Sequence, residues 1–107
     1  MIKHIVMWKL VDAAEAPRFK EILDTCKGIV SGMREFEVAV RAEGLEANHD
    51  VALYSVFDDP AALQAYIVHP RHQEVVAALT ARRPDSTTAI CLRRTGCLPI
   101  GLSTVPE

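Results

Sequence analysis

The stretch VALYSVFDDPAALQAYIVHPRHQEVV, residues 51–76, passes from a strand into a helix and then, across a proline, into a second helix. In Val51 to Phe57, Val51, Leu53, Ser55 and Phe57 fall on one face and Ala52, Tyr54 and Val56 on the other. That is the two-residue period of a strand that is largely apolar on both sides. Asp59-Pro60 then opens a helix. The carboxylate can accept a hydrogen bond from an orphan N–H of the first turn, and proline at the first helical position gives up no needed donor. Leu63, Tyr66 and Ile67 make its apolar face. The helix breaks at His69-Pro70, because a residue before proline is pushed out of the α region. A new helix begins at Pro70, with Val75, Val76 and Leu79 expected to point inward.

Pro84-Asp85 reads as a turn, and Thr88, Ile90 and Leu92 mark a fourth strand. In Ile2 to Leu10, His4, Val6 and Trp8 face one way and Ile5 and Met7 the other, again apolar on both faces. Asp12 offers a cap, with Glu15 three residues on. Pro17 suits only the first turn of a helix, which places its start near residue 16. Phe19, Ile22, Leu23, Cys26 and Ile29/Val30 form one stripe at helical spacing, expected to end at Ser31-Gly32. Phe36, Val38 and Val40 share a face of a second strand whose other face is polar. Gly44 to His49 is a polar loop.

The order β-α-β-β-α-β predicts an α+β, ferredoxin-like antiparallel sheet with the helices on one face. In that arrangement the first and third strands are central and the second is an edge, which agrees with their polarity. The helices leave one face of the sheet bare, carrying Ile5, Met7, Ala52, Val56, Ala89 and Cys91. Exposing such a face costs roughly 25 cal/mol per Å². A homodimer joined sheet to sheet is therefore expected. The domain is expected over 1–94, followed by an irregular tail over 95–107.

The 12 Lys+Arg and 14 Asp+Glu give a formal charge of −2 with no basic cluster; Arg82-Arg83 and Arg93-Arg94 are too short to make one. Nucleic acid and anionic membranes are thus poor partners. Lys3, His4 and Lys9 interrupt the N-terminal apolar run, so no signal peptide is read there. The three cysteines lack framework spacing and are read as reduced thiols, which points to a cytoplasmic protein. Neither a glycine-rich phosphate loop nor a ligand-spaced Cys/His/carboxylate set occurs, so neither nucleotide, metal nor other cofactor is expected.

The segments MIKHIVMWKL and LYSVFDDPAALQAYIVHPRHQEVV, with the spacing between them, resemble the stress-responsive dimeric α/β-barrel (Dabb) family over about residues 1–94. The lysine-histidine of the first strand and the Y-x-x-HP-x-H pattern carry the likeness in combination. The resemblance implies the same fold and the sheet-to-sheet dimer, which forms the α/β barrel. Family membership fixes no activity. Its best-understood enzyme, a plant olivetolic acid cyclase, closes a linear polyketide by aldol condensation without a cofactor. Three functional positions of that enzyme fall on His4, Tyr66 and His72, so the resemblance implies a cyclase- or lyase-like reaction. Trp8, Cys26, Ser55 and Thr88 depart from its pocket lining and leave the substrate open.

His72 shares the inward face of Val75, Val76 and Leu79 and lies in the first turn of its helix. The positive helix end and partial burial both favour neutral imidazole, the form of a general base. Equally, it could bond to backbone and close the helix break. Tyr66 could polarise a substrate oxygen or be a core tyrosine. His4 could orient a carbonyl or be a satisfied core histidine. The walls of such a pocket would come from Val6, Trp8, Phe36, Leu53 and Ser55 of the sheet. Ile22, Leu23, Cys26, Ile67 and Val76 would close it from the helical side. His69 reads as a cap at the break, and no cysteine has an evident activating base.

Overall fold

A computed structural model of the chain describes residues 1–46, 48–80 and 87–93, with the backbone alone for 87–90 and 93. Strands β1 (Ile2–Trp8), β2 (Met33–Val40), β3 (Val51–Phe57) and β4 (Thr87–Arg93) build one sheet in the order β2-β3-β1-β4. All its pairings are antiparallel. Helices α1 (Ala16–Asp24), α2 (Pro60–Val68) and α3 (Pro70–Thr80) pack on one face. This is the ferredoxin-like arrangement, with the two doubly apolar strands at the centre.

Local chemistry sets the helix ends. The Asp59 carboxylate accepts from the Ala62 N–H at 2.8 Å, ahead of Pro60 at the first position of α2. Asp12 caps a 3₁₀ turn over Ala13–Glu15, so α1 proper starts at Ala16. The sequence stripe overran the other end of α1: the helix stops at Asp24, not at Ser31-Gly32. The N–H groups of Thr25, Cys26 and Lys27 reach back three residues, to the carbonyls of Ile22, Leu23 and Asp24. This tightening uses up the last carbonyls. Gly28 then takes φ of 78°, a left-handed conformation that ends the helical path. Cys26 still points into the core, from a turn instead of a helix.

The core is a single cluster. Val6 and Trp8 of β1, Phe36 of β2, Leu53 and Phe57 of β3, Phe19 of α1 and Tyr66 of α2 all belong to it. Burying an aliphatic or aromatic side chain of this kind contributes about 1.5–3 kcal/mol. Val76 is corrected by the structure: it is 39% exposed, while Val75 and Leu79 are buried. One helix face cannot take positions 75 and 76 equally, since they lie about 100° apart. Val40, at the end of its strand, is also exposed.

Strand β4 needs a second correction. Its register sets Cys91 opposite His4, and partners directly opposite in an antiparallel pair share a face. Cys91 therefore stands on the helix side of the sheet, not on the bare face. Ala89 likewise pairs with the inward Val6, and Ile90 with Ile5. On the face away from the helices, Ile5, Met7, Ala52 and Tyr54 are half-buried and lie outside the core cluster. Val56 also lies outside that cluster, yet it is 3% exposed. The expected turn at Pro84-Asp85 and the tail over 95–107 lie outside the described residues.

Gly32 sits where the turn after α1 meets α2. A Cβ there would lie 2.5 Å from the Ala62 Cβ. Gly32→Ala is expected to cost about 1–3 kcal/mol by overpacking. A fall in Tm of at least about 4 °C should be read by thermal unfolding; an unchanged Tm would contradict the close approach.

Candidate functional site

Antiparallel register gathers the first part of the site. On the inner face, His4 of β1 lies between Ser55 of β3 and Cys91 of β4. Ser55 is fully buried and donates its hydroxyl to the His4 carbonyl at 3.0 Å. The His4 ring stands edge-on to Phe57 and Tyr66, with centroids 6.4 Å apart in each case. Its Nδ1 lies 3.2 Å from the Cys91 sulfur.

Helix α2 supplies the centre. Tyr66 is 1% exposed and packs on Phe57 at 5.2 Å and on Phe36 at 6.5 Å. The His72 ring lies 4.6 Å away. Tyr66 thus meets the rings of both histidines. Its hydroxyl is hydrogen-bonded to the side chain of Cys26, which is wholly buried.

The helix break positions His72. Pro70 has no N–H, and His69 before it is extended, with ψ of 137°. The last carbonyls of α2 therefore lose their usual partners. The Tyr66 carbonyl accepts from the His69 N–H at 3.1 Å. The Ile67 carbonyl accepts from Gln73 Nε2 at 2.8 Å and from His72 Nδ1 at 2.9 Å. A carbonyl only accepts, so neutral His72 carries its proton on Nδ1 and keeps a lone pair on Nε2. His69 Nδ1 accepts the Arg71 N–H at 2.9 Å, so His69 is the cap that the sequence suggested.

Burial dominates the electrostatics. It lowers the pKa of His72, helped by His69 and opposed by the bond to Ile67. It lowers that of His4 as well, with His72 as a second cause. Burial first, and Cys26 second, push the Tyr66 hydroxyl well above the usual phenol range. Cys26 is raised by burial. At neutral pH His4, His72, Tyr66 and Cys26 are consequently all uncharged. The group offers a free imidazole lone pair, a phenolic donor and a second imidazole beside apolar walls, which suits proton abstraction next to a polarised carbonyl.

The structure therefore brings His4, Tyr66 and His72 together with Cys26, Phe36 and Ser55. Val6, Leu23 and Leu53 belong to the surrounding core, with Ile22 and Ile67 partly buried against it. Trp8 packs edge-on to Phe19 at 5.2 Å, four residues along β1 from His4. That is about 13 Å further along the strand, away from the histidines. Val76 is exposed and lies outside the core. Phe57 and Cys91 were missed. Alternation places Phe57 on the face of Ser55 and could have found it; the side of Cys91 depends on pairing alone. A groove of about 1120 Å³ lies elsewhere, between Pro17 and the loop that carries Arg41 and Leu45. No residue of the histidine–tyrosine group lines it, and its open, mixed surface lacks their chemistry. Among the described residues no group of three or more metal-ligating side chains occurs, and no helix is long and apolar enough to cross a membrane.

The stress responsive A/B barrel domain, Dabb, matches residues 2–89. An uncharacterised protein of Streptomyces coelicolor is 34% identical over 82 residues, covering 72% of this chain and 84% of its own. A dimeric protein of unknown function and ferredoxin-like fold from Bacteroides fragilis superposes with a TM-score of 0.73 at 27% identity, over 87% of this chain and 95% of its own. A Dabb family protein with a ferredoxin-like fold from Mesorhizobium loti gives 0.68 at 25% identity, over 89% and 97%.

The lowered histidines tie stability to pH. Below about 6.5, the unperturbed value, the unfolded chain binds protons that folded His4 and His72 resist. Their contribution is full above that pH and is lost as pH falls toward their depressed folded values. The urea midpoint should drop between pH 7.5 and pH 5.5, and a flat midpoint would contradict burial of the two rings.

Proposed function

Because the chain belongs to the stress responsive A/B barrel (Dabb) family, we propose that it is a homodimer with a pocket for a small organic carbonyl compound and that it acts there as a cofactor-independent cyclase or lyase. The single observation that carries this reading is the fixed tautomer of His72. Its Nδ1–H is held by the Ile67 carbonyl, which leaves Nε2 as a base whose neutral form burial favours. In the proposed reaction Nε2 takes the proton from a carbon next to the substrate carbonyl. Tyr66 remains protonated and donates to the enolate oxygen as charge develops there. The thiol of Cys26 is a weak acceptor, so a substrate oxygen is the better partner for that hydroxyl. His4 orients the carbonyl from the sheet. The enolate carbon then attacks a second carbonyl of the same chain, or expels a leaving group, and the proton on His72 is returned. Such a ring closure is the chemistry of the plant polyketide cyclase that the sequence resembles.

The dimer joins the sheet faces carrying Ile5, Met7, Ala52 and Tyr54. The dimeric state of the Bacteroides fragilis protein supports a dimer. A second reading is a dimer that binds a ligand or only assembles, without chemistry. Close packing favours it: Tyr66 is 1% exposed, and Ser55, Phe57 and Cys26 are 0% exposed.

Deuterium exchange into small β-keto and aromatic keto acids, followed by NMR, separates the two readings. His72→Gln keeps a donor for the Ile67 carbonyl and should retain the fold, while exchange should fall about 10²–10⁴-fold. Exchange that is absent from the wild type or unaltered by the variant favours the non-catalytic reading. Sedimentation at micromolar protein should give twice the 11.8 kDa chain mass; a monomer would refute the sheet-to-sheet dimer.

A further inference from the structure

Cys91 has a partner that the proposed base chemistry does not use. Its sulfur lies 3.2 Å from Nδ1 of His4, its directly paired neighbour across the β1–β4 ladder. β4 is an edge strand, and Cys91 is half-exposed on the face that carries the site. Cys26, by contrast, is wholly buried beside Tyr66, and burial raises its pKa. The geometry points to Cys91 and His4 as a nucleophilic thiol–imidazole pair that adds covalently to small α,β-unsaturated carbonyl compounds entering from the β4 edge.

The chemistry follows from the neighbours of the pair. A thiol is nucleophilic as the thiolate, so a base in hydrogen-bond reach raises its reactivity at neutral pH. Among the described residues, His4 is faced by Cys91 of β4, Ser55 and Phe57 of β3, Tyr66 of α2 and His72 of α3. None of these is a carboxylate or a permanent cation, and burial favours neutral His4 as proton acceptor. Sulfur is a soft nucleophile, which selects a conjugated carbon over a hard acyl centre. Phe57 and Tyr66 are closed into the core, so the half-buried His4 and Cys91 are the groups that meet the added compound.

In the step itself, the Cys91 S–H proton passes to His4 Nδ1 as a sulfur–carbon bond forms at the β-carbon. The π pair of the C=C bond moves to the α-carbon and carbonyl oxygen as an enolate. The imidazolium proton, passed directly or relayed through a water, then quenches the α-carbon and restores neutral His4. The net change is addition of S–H across C=C, with no oxidant or reductant.

The test uses limiting N-ethylmaleimide on the intact wild-type protein, with peptide mass spectrometry resolving adducts at Cys26, Cys91 and Cys97. Cys91 is expected to react at least about tenfold faster than glutathione at pH 6.5. Its rate should level off once His4 is deprotonated, below the roughly 8.5 of an unassisted thiol. His4→Gln should bring the rate down to that of glutathione. A Cys91 rate no faster than glutathione, or one that keeps climbing tenfold per pH unit up to about pH 8, overturns the assignment even if His4→Gln fails to fold. Hydrogen exchange into keto acids is read separately on the same protein, so loss of either activity is told apart from loss of the other.

Discussion

The unfilled carbonyl of Ile67 governs the site. A continuous helix would satisfy it with the N–H four residues on, but Pro70 and the extended His69 turn the chain away. Leaving such an acceptor without a partner in a half-buried place costs about 1–3 kcal/mol. The chain offsets this with two side chains from the start of α3, Gln73 and His72. The bond that repairs the break also fixes which nitrogen of His72 carries the proton. A structural need and a chemical opportunity are thus met by the same hydrogen bond, and the bland role of this histidine does not compete with the functional one.

Burial then gives the group its character. Tyr66 meets the rings of both His4 and His72, and Cys26 lies beside its hydroxyl. Desolvation acts on all four in one sense, disfavouring whichever form is charged. A neutral cluster can share a small space without the like-charge repulsion that would follow if both histidines were protonated. Acid works against this arrangement, because charging either ring inside the core is unfavourable.

The sheet has two unequal tasks. Its inner face closes the core and carries His4, Ser55 and Cys91 in adjacent strands. Its outer face carries half-buried apolar residues that lie outside the core cluster formed with the described helices. Because side chains alternate with a period of two, a slip of one residue in β4 would exchange its faces and move Cys91 from one task to the other.

Much of this was legible in the sequence. Strong periodicity along Ile2–Trp8 and Val51–Phe57, the Asp59-Pro60 start and the His69-Pro70 break gave the element order, and the polarity of β2 marked it as an edge. These are local signals, set by backbone sterics and side-chain alternation, and they need no knowledge of what lies nearby. The convergence of His4, Tyr66 and His72 was read from family likeness and from helix faces. The end of α1 was misjudged, since the apolar stripe runs on through Cys26 into a turn that three-residue hydrogen bonds and Gly28 decide. Val76 looked as suitable for the core as Val75, because hydrophobicity alone cannot choose between adjacent helical positions. The tautomer of His72, the Cys26–Tyr66 contact and the Cys91–His4 pair belong to the tertiary structure alone. Each joins atoms from different elements, and which atoms meet is set by strand register and helix docking, about which a one-dimensional pattern carries no information.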